Sequence, residues 1–148
     1  MPITPEHVGR NYPPTEPYRI SRAKIAEFAA ALGGSEGGDR NPAYAGQAPV
    51  APPTFAMVIG ARAWQSLFDD PELDLALMRT MHADQAFEWS RPMREGDDVV
   101  ARLSIEKVRN RGTVDMVTIA VEMTTVEGEH LCTGRSQLVH TRAEEVAA

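Results

Sequence analysis

The chain has 148 residues, of which 43% are hydrophobic and 24% charged, so it can form one domain with a substantial core. Its formal net charge of −6 argues against nucleic acid as a partner, although a local basic patch can still bind a small anion. One cysteine, Cys132, excludes a disulfide framework and a cysteine-based zinc site within the chain. Its strand-like surroundings predict a buried thiol.

Residues 1–6 do not resemble a signal peptide, and the longest apolar stretch, 55–61, is too short to span a bilayer. We expect a cytoplasmic protein without a membrane anchor.

Two helices are predicted in the first half, after a proline-rich opening that favours extended chain. The first begins after Ser21, a good N-cap, ends at Gly33-Gly34, and presents an apolar face at the spacing i, i+3, i+4, i+7: Ile25, Phe28, Ala29 and Leu32. The second runs from about Thr54, a candidate cap, to Phe68. Because residues 55–59 leave its first turns no polar face, we predict a helix buried all round.

The second half of the chain alternates with a period of two, which is typical of half-buried strands. Four antiparallel strands are predicted. The first runs from about Met81 to Trp89 and the fourth from about His130 to Thr141, with turns at 96–97, 110–112 and 127–129. On the third strand, four apolar residues are expected to face the second helix: Val117, Ile119, Val121 and Met123.

A helix packed on an antiparallel sheet is an α+β architecture. An antiparallel sheet wrapped around one central apolar helix is the hot-dog fold, and we infer the wrap at the level of the fold. The whole chain, 1–148, is expected to form a single domain, with a tail at 142–148 that is frayed or weakly helical.

Three segments resemble the MaoC-like hydratase/dehydratase family. Residues 38–44, Gly-Asp-Arg-Asn-Pro-Ala-Tyr, are similar to its loop Gly-Asp-x-Asn-Pro-(aliphatic)-His, which precedes the central helix. Residues 50–55, Val-Ala-Pro-Pro-Thr-Phe, stand where the family has an apolar lead into that helix. Residues 82–87, with Arg91-Pro92 and Gly96-Asp97, resemble its first long strand and following turn.

The resemblance implies a hydro-lyase of fatty-acid metabolism acting on enoyl or 3-hydroxyacyl thioesters of CoA or acyl carrier protein. In the family, the loop's aspartate and histidine act on the water and on the α-proton. A backbone N–H at the helix start polarises the thioester carbonyl. The corresponding catalytic positions here are Asp39, Asn41 and Tyr44, and the resemblance places Pro53, Thr54 and Phe55 at the substrate-binding helix start.

Two departures from the family pattern indicate a degenerate site. Tyr44 stands where the family has histidine, and a phenol exchanges protons poorly at neutral pH compared with an imidazole. Pro53 aligns with the donor glycine, and proline has no N–H. If the alignment slips by one residue, the N–H of Thr54 would serve instead.

The pattern is closest to the non-catalytic subunit, of the FAS1-like dehydratase type, in heterodimeric (3R)-hydroxyacyl-ACP dehydratases. We expect a dimer, either of two copies or with a catalytic hot-dog chain. One alternative is an active homodimeric hydratase that uses Asp39 as base with Tyr44 or His82. Another is an acyl-thioester binding module without catalysis.

Each candidate residue also has a structural interpretation. Asp39 and Asn41 suit a turn, Tyr44 can pack on the helix, and His82 can be a structural histidine. Arg109 and Arg111, near Lys107, surround a hairpin turn, where they are either solvated or clamp the phosphates of the ligand. The scattered histidines give no metal-site spacing, and no cofactor motif is present, so neither a metal nor a cofactor is expected.

Overall fold

The computed structural model describes residues 2–33 and 41–144, which form two α-helices and one five-stranded antiparallel sheet. Helix α1 spans Arg22–Ala31 and helix α2 spans Ala56–Phe68. The strands, in chain order β1 to β5, are Tyr18–Arg19, Thr80–Trp89, Asp98–Arg111, Val114–Thr125 and His130–Thr141. Their spatial order is β1-β3-β4-β5-β2. The predicted α+β class is confirmed, and the short strand β1 is one that the sequence pattern did not predict.

The inner face of the sheet is apolar and packs against α2. The alternation predicted for β4 is confirmed, because each of its four predicted core residues is at most 3% exposed: Val117, Ile119, Val121 and Met123. Cys132 on β5 belongs to the same core, and burial raises the pKa of its thiol to about 11. This confirms the prediction of a buried thiol.

Helix α2 is buried on one face only, which corrects the prediction of a helix buried all round. The buried face consists of Ala56, Ile59, Gly60, Ala63 and Leu67. Val58, on another face, is 38% exposed, because the sheet covers only one side of the helix. No helix among the described residues is long and apolar enough to cross a membrane.

The predicted capping role of Thr54 is wrong. The chain already turns at Pro53, where the 3-10 turn Pro53–Phe55 precedes α2. Phe55 therefore has helical dihedral angles and occupies the N-cap position of α2, and no side chain caps it. Thr54 lies inside the preceding turn, where its hydroxyl cannot reach the free amides of the helix.

Helix α1 begins as predicted and has a narrower buried face than predicted. Ser21 Oγ accepts a hydrogen bond from the Lys24 N–H at 3.2 Å, which confirms the N-cap. Ile25 is fully buried, whereas Leu32 is 56% exposed. Leu32 lies beyond the last turn of the helix, which ends at Ala31, so it does not continue the apolar stripe.

The two edges of the sheet differ. On the β3 side, the amino-terminal segment continues the pairing beyond β1, with Gly9, Tyr12 and Thr15 each donating a backbone N–H to a β3 carbonyl at 2.8–3.0 Å. On the other side, β2 pairs only with β5, and its outer edge faces no other strand within the described residues. An open edge of ten residues can pair with another chain.

A buried polar cluster joins four segments at the end of the sheet that holds the β3–β4 hairpin. Asp115, 1% exposed, accepts hydrogen bonds from Arg142 Nε at 2.9 Å and from Asn110 Nδ2 at 2.6 Å. The same Asn110 amide donates to the Ile3 carbonyl. His140, which had no recognisable partner in the sequence, places Nδ1 3.4 Å from Asp115 and accepts a hydrogen bond from the N–H of Ala76. Arg142 is thus held in place, so the predicted fraying is wrong at this residue.

The hydrogen bonds to Asp115 lower its pKa. Burial opposes ionisation of the carboxyl group. The bonds from Arg142, Asn110 and His140 outweigh that effect and hold the pKa below its ordinary value. A carboxyl group with a depressed pKa stabilises the fold at pH values above its unfolded-state pKa, about 3.9. That contribution is lost as pH falls below this value towards the folded-state pKa.

We predict that Asp115→Ala lowers the free energy of unfolding at pH 7 by about 3 kcal/mol, because it leaves a buried histidine and an arginine without their shared partner. The matched control is Glu122→Ala, which removes an exposed carboxylate from the same strand as Asp115 and should change stability by less than about 0.5 kcal/mol. Urea denaturation from pH 7 to pH 3 provides the measurement. The difference between Asp115→Ala and the wild type should shrink below about pH 4, and a difference independent of pH would contradict the account.

Candidate functional site

The loop that carries the family-like motif is anchored beside the start of α2. The backbone N–H of Val50 donates to the Ala43 carbonyl, and that of Ala51 to the Met93 carbonyl, both at 2.8 Å. The Arg22 guanidinium on α1 binds the carbonyl groups of Gly46 and Gln47. These bonds fix the loop between α1 and the connection that links β2 to β3. Asp39 lies outside the described residues.

Asn41 stabilises its own turn. Its Oδ1 accepts a hydrogen bond from the Ala43 N–H at 2.9 Å and so caps the 3-10 turn Pro42–Tyr44. Its Nδ2 group donates to no acceptor within the described residues. The amide oxygen therefore has the structural role considered in the sequence analysis, while the NH₂ group remains available to a ligand.

Tyr44 closes this turn and packs half-buried against the core. Its backbone N–H donates to the Asn41 carbonyl at 3.0 Å. The packing agrees with the structural interpretation of Tyr44. Any catalytic role for its hydroxyl group stays a prediction.

The start of α2 presents one free backbone donor. Pro53 has no N–H, and the Phe55 N–H is used by the Pro52 carbonyl at 2.9 Å. The N–H of Thr54 meets no acceptor within 2–33 and 41–144, and Thr54 is exposed. The geometry therefore favours Thr54 over Pro53 as the residue that could polarise a ligand carbonyl.

Apolar cavities lie on both sides of this helix start. One of about 160 Å³ is lined by Ala51, Pro53, Trp89 and Pro92. The other, of about 280 Å³, lies between the two helices, with Phe28, Phe55 and Val58 in its wall and Lys24 and Glu27 also lining it. Apolar walls beside a free N–H can bind a molecule that joins an alkyl chain to a carbonyl.

Phe55 belongs both to the core and to one cavity wall. It is 2% exposed, and its ring lies edge-on to Phe28 at 5.3 Å and to Tyr18 at 6.2 Å. Sequence reasoning placed Phe55 at the site and missed Trp89, which ends β2 beside Pro53. An aromatic residue at the end of a strand before the Arg91-Pro92 pair was the available signal.

His82 lies on the other half of β2, away from the start of α2 in its own chain. Its Nε2 forms a 3.0 Å hydrogen bond with Gln85 Oε1, which also accepts a bond from Ser136. The imidazole packs edge-on against Trp64 of α2 at 5.1 Å. These contacts support the structural interpretation of His82. The turn at 41–44 is tied to Val50, four residues before Thr54, whereas His82 packs against Trp64, farther along α2.

Arg109 and Arg111 also lie away from this region. Both are exposed on the last part of β3, whereas the loop is anchored near the first part of β3. About ten residues of strand separate the two regions, which corresponds to roughly 33 Å of extended chain. Within the described residues, no cluster of side chains has the composition of a metal site.

Comparison with known proteins identifies the family. A family model described as the FAS1-like dehydratase domain region matches residues 6–134. A UPF0336 protein of Cutibacterium acnes is 51% identical over 97% of this chain and 98% of its own length. One of Saccharopolyspora erythraea is 38% identical over 94% of this chain and 92% of its own length. The chain belongs to the FAS1-like dehydratase family.

Solved structures confirm the hot-dog fold of this FAS1-like dehydratase chain. A chain of the HadBC (3R-hydroxyacyl-ACP dehydratase) complex of Mycobacterium tuberculosis aligns with a TM-score of 0.74 and 24% identity, covering 90% of this chain and 96% of that one. A MaoC-like dehydratase aligns with a TM-score of 0.78 and 23% identity over 95% of this chain and 44% of its own. These structures establish the fold, while the family is established by the match to the FAS1-like dehydratase model.

Two substitutions separate the turn role of Asn41 from any role of its NH₂ group. Asn41→Ala removes the capping oxygen and should lower the free energy of unfolding by about 1 kcal/mol. Asn41→Asp keeps an oxygen at that position and should retain most of the stability while losing the NH₂ group. Urea denaturation of both variants gives the comparison, and equal losses of stability would contradict the turn role.

Proposed function

We propose that this FAS1-like dehydratase chain is a cytoplasmic subunit of a hydro-lyase of fatty-acid metabolism that acts on acyl thioesters of CoA or acyl carrier protein. Its own site is degenerate, and a second, catalytic hot-dog chain completes the activity. The observation that carries the proposal is Tyr44, which stands at the family's histidine position and is packed into the fold.

The reaction sets the requirement. In hydration of a trans-2-enoyl thioester, a base removes a proton from water, the water oxygen bonds to C3, and C2 receives a proton. Negative charge develops on the thioester oxygen, where a backbone N–H stabilises it. Dehydration is the same sequence reversed.

This chain offers only some of the groups that the reaction requires. Thr54 supplies a free N–H, its neighbours Pro53 and Phe55 each line an apolar cavity, and Asp39 is the candidate base. The imidazole is missing, and a phenol is a weak replacement for proton transfer at neutral pH. Removal of one acid–base group commonly costs roughly 10²–10⁴ in rate, so we expect little activity from the chain alone.

Dimerisation through β2 follows from the edges of the sheet. The amino-terminal segment covers the β3 side, while the β2 edge is open. We propose that β2 pairs antiparallel with the same strand of a second hot-dog chain, either another copy or the catalytic partner. Two similar structures from Mycobacterium tuberculosis, the HadBC (3R-hydroxyacyl-ACP dehydratase) complex and the ChsH1-ChsH2 complex, are complexes and support this assembly.

An active homodimer remains the second candidate. In an antiparallel pairing of two β2 strands, the half of one strand that carries His82 lies beside the half of the other that carries Trp89. His82 would then approach the start of α2 in the second protomer. In its own protomer, His82 lies away from the start of α2. A third candidate, an acyl-thioester binding module, needs only the cavities and the Thr54 N–H.

Activity assays separate these candidates. The purified chain is assayed with crotonyl-CoA and longer enoyl thioesters, alone and with a catalytic hot-dog chain that carries the complete Asp and His motif of the family. We expect turnover to rise at least about 100-fold with that chain, and Tyr44→Phe to leave it unchanged. Turnover by the chain alone that disappears in Asp39→Asn would instead establish the active homodimer.

Charge placed on the open edge tests the assembly. Ala86→Lys adds a cation to an exposed position of β2 and should shift the self-association equilibrium towards monomer at micromolar concentration, because lysine on an edge opposes strand pairing. Ala26→Lys adds the same charge to the exposed face of α1 and should leave the association unchanged. Sedimentation equilibrium measures both variants, and equal behaviour would place the interface elsewhere.

A further inference from the structure

Three cations form a row on the outer face of the sheet, beside the β3–β4 hairpin. Lys107, Arg109 and Arg111 are spaced two residues apart on β3, so their side chains share one face, and all three are exposed. Within the described ranges none of them forms an ion pair. We call these residues the cation row.

The cation row contrasts with the charge of the whole chain, which has a formal net charge of −6. Many of the other cations are already neutralised by carboxylates within the fold: Arg10, Arg19, Arg22, Lys24, Arg91, Arg135 and Arg142. The row therefore concentrates positive charge that the fold itself does not use. Its electrostatic complement is an acidic surface.

An apolar band lies directly beside the cation row. Strand pairing joins Arg109 to Met116, Met116 to Val139, and Val139 to Met81 across the outer face. Met116 and Val139 are half-buried, and Met81 is 71% exposed. Immediately before β2, the chain exposes two further large apolar side chains, Leu77 at 62% and Met78 at 99%. Contiguous exposed apolar surface of this kind marks interaction sites.

The position of this surface matters once two β2 strands pair. The start of β2 lies at the hairpin end of the sheet, since Thr80 pairs with His140 and Thr141 pairs with Val114. The end of β2, Trp89, lines a cavity at the start of α2. Antiparallel pairing therefore brings the cation row of one protomer to the same end of the dimer as the helix start of the other.

We propose that the cation row and the apolar band together form a docking surface for an acidic acyl carrier protein. The surface receives a carrier whose acyl chain enters the site of the catalytic partner. This inference rests on the proposed function, because it assumes that the substrate is an acyl thioester. In this proposal, the subunit with the degenerate site contributes to the reaction by binding the carrier protein.

A protein carrier fits this surface better than the phosphates of CoA do. A phosphate group would contact only the cations. The apolar band, in contrast, would be buried favourably by apolar side chains of a protein ligand. A surface helix with carboxylates on one side and aliphatic residues on the other meets both requirements. The row is also about a strand length from the helix start of its own protomer, which separates it from a thioester bound there.

Binding of a purified bacterial holo acyl carrier protein, measured by fluorescence anisotropy with the full chain, tests the proposal. Arg109→Glu should weaken binding about tenfold, because it replaces attraction by repulsion in the middle of the row. Arg102→Glu is the matched control, since it makes the same charge change at an exposed position on the same face of β3, towards the other end. That variant should bind within about twofold of the wild type.

Met116→Ala examines the apolar half of the surface and should weaken carrier binding without changing its dependence on salt. Circular dichroism verifies that each variant is folded. The proposal is overturned by wild-type protein that does not bind the carrier, or by equal weakening in Arg109→Glu and Arg102→Glu. It is equally overturned if Arg109→Glu alters the affinity for free CoA and not that for the carrier, since the row would then be a phosphate clamp.

The outcome is distinguishable from a failure of the proposed function. Turnover of enoyl-CoA with the catalytic partner, combined with absent carrier binding, would remove only the docking surface. The converse result is carrier binding that depends on Arg109 while the chain shows no turnover with the catalytic hot-dog chain. That result would support the docking surface and contradict the proposed role as a hydro-lyase subunit.

Discussion

The packing of α2 into the curl of the sheet is the contact on which the rest of the structure depends. Ala56, Gly60 and Ala63 on its buried face are small, and a Cβ atom on Gly60 would make an ordinary van der Waals contact of 3.7 Å with Met123 Cε. The segment that leads into the helix lies beside the end of β2, where Pro53, Trp89 and Pro92 line one cavity. The free N–H of Thr54 belongs to the 3-10 turn that this segment forms. This N–H and the cavity persist whether or not the loop carries a complete set of acid–base groups.

The unequal edges of the sheet set the possibilities for assembly. The proline-rich amino-terminal segment cannot form a regular strand, yet three of its backbone N–H groups satisfy β3 carbonyls and close that side. The β2 side has no such cover within the described residues, and its ten-residue length offers a long row of backbone groups. In the proposed dimer, pairing at this edge would join two sheets side by side and set which end of one protomer meets which end of the other. The geometry of that dimer would then follow from which edge is left open.

The regular parts of this fold could be predicted from the sequence, and the contacts between distant segments could not. Alternation gave the inward-facing residues of β4 and the bounds of β5, because strand periodicity is a local property. Strand β1 was missed, since two residues show no periodicity. The burial of α2 was overestimated because composition does not reveal which sides of a helix are covered. The partners of His140, which are Asp115 and the Ala76 N–H, lie 25 and 64 residues away.

In the candidate site, too, local structure could be predicted from the sequence and contacts between distant segments could not. The motif at 38–44 predicted Asn41 and Tyr44 on a loop, and the structure has them in a capped 3-10 turn that packs against the core. Asn41 and Tyr44 are held by contacts that a fold needs in any case, which are a turn cap and core packing. A turn cap and core packing do not require an imidazole, so this loop can be stable with tyrosine at position 44. The features that this chain offers to a partner lie elsewhere on its surface, at the open β2 edge and at the cation row, whose members form no ion pair within the described residues.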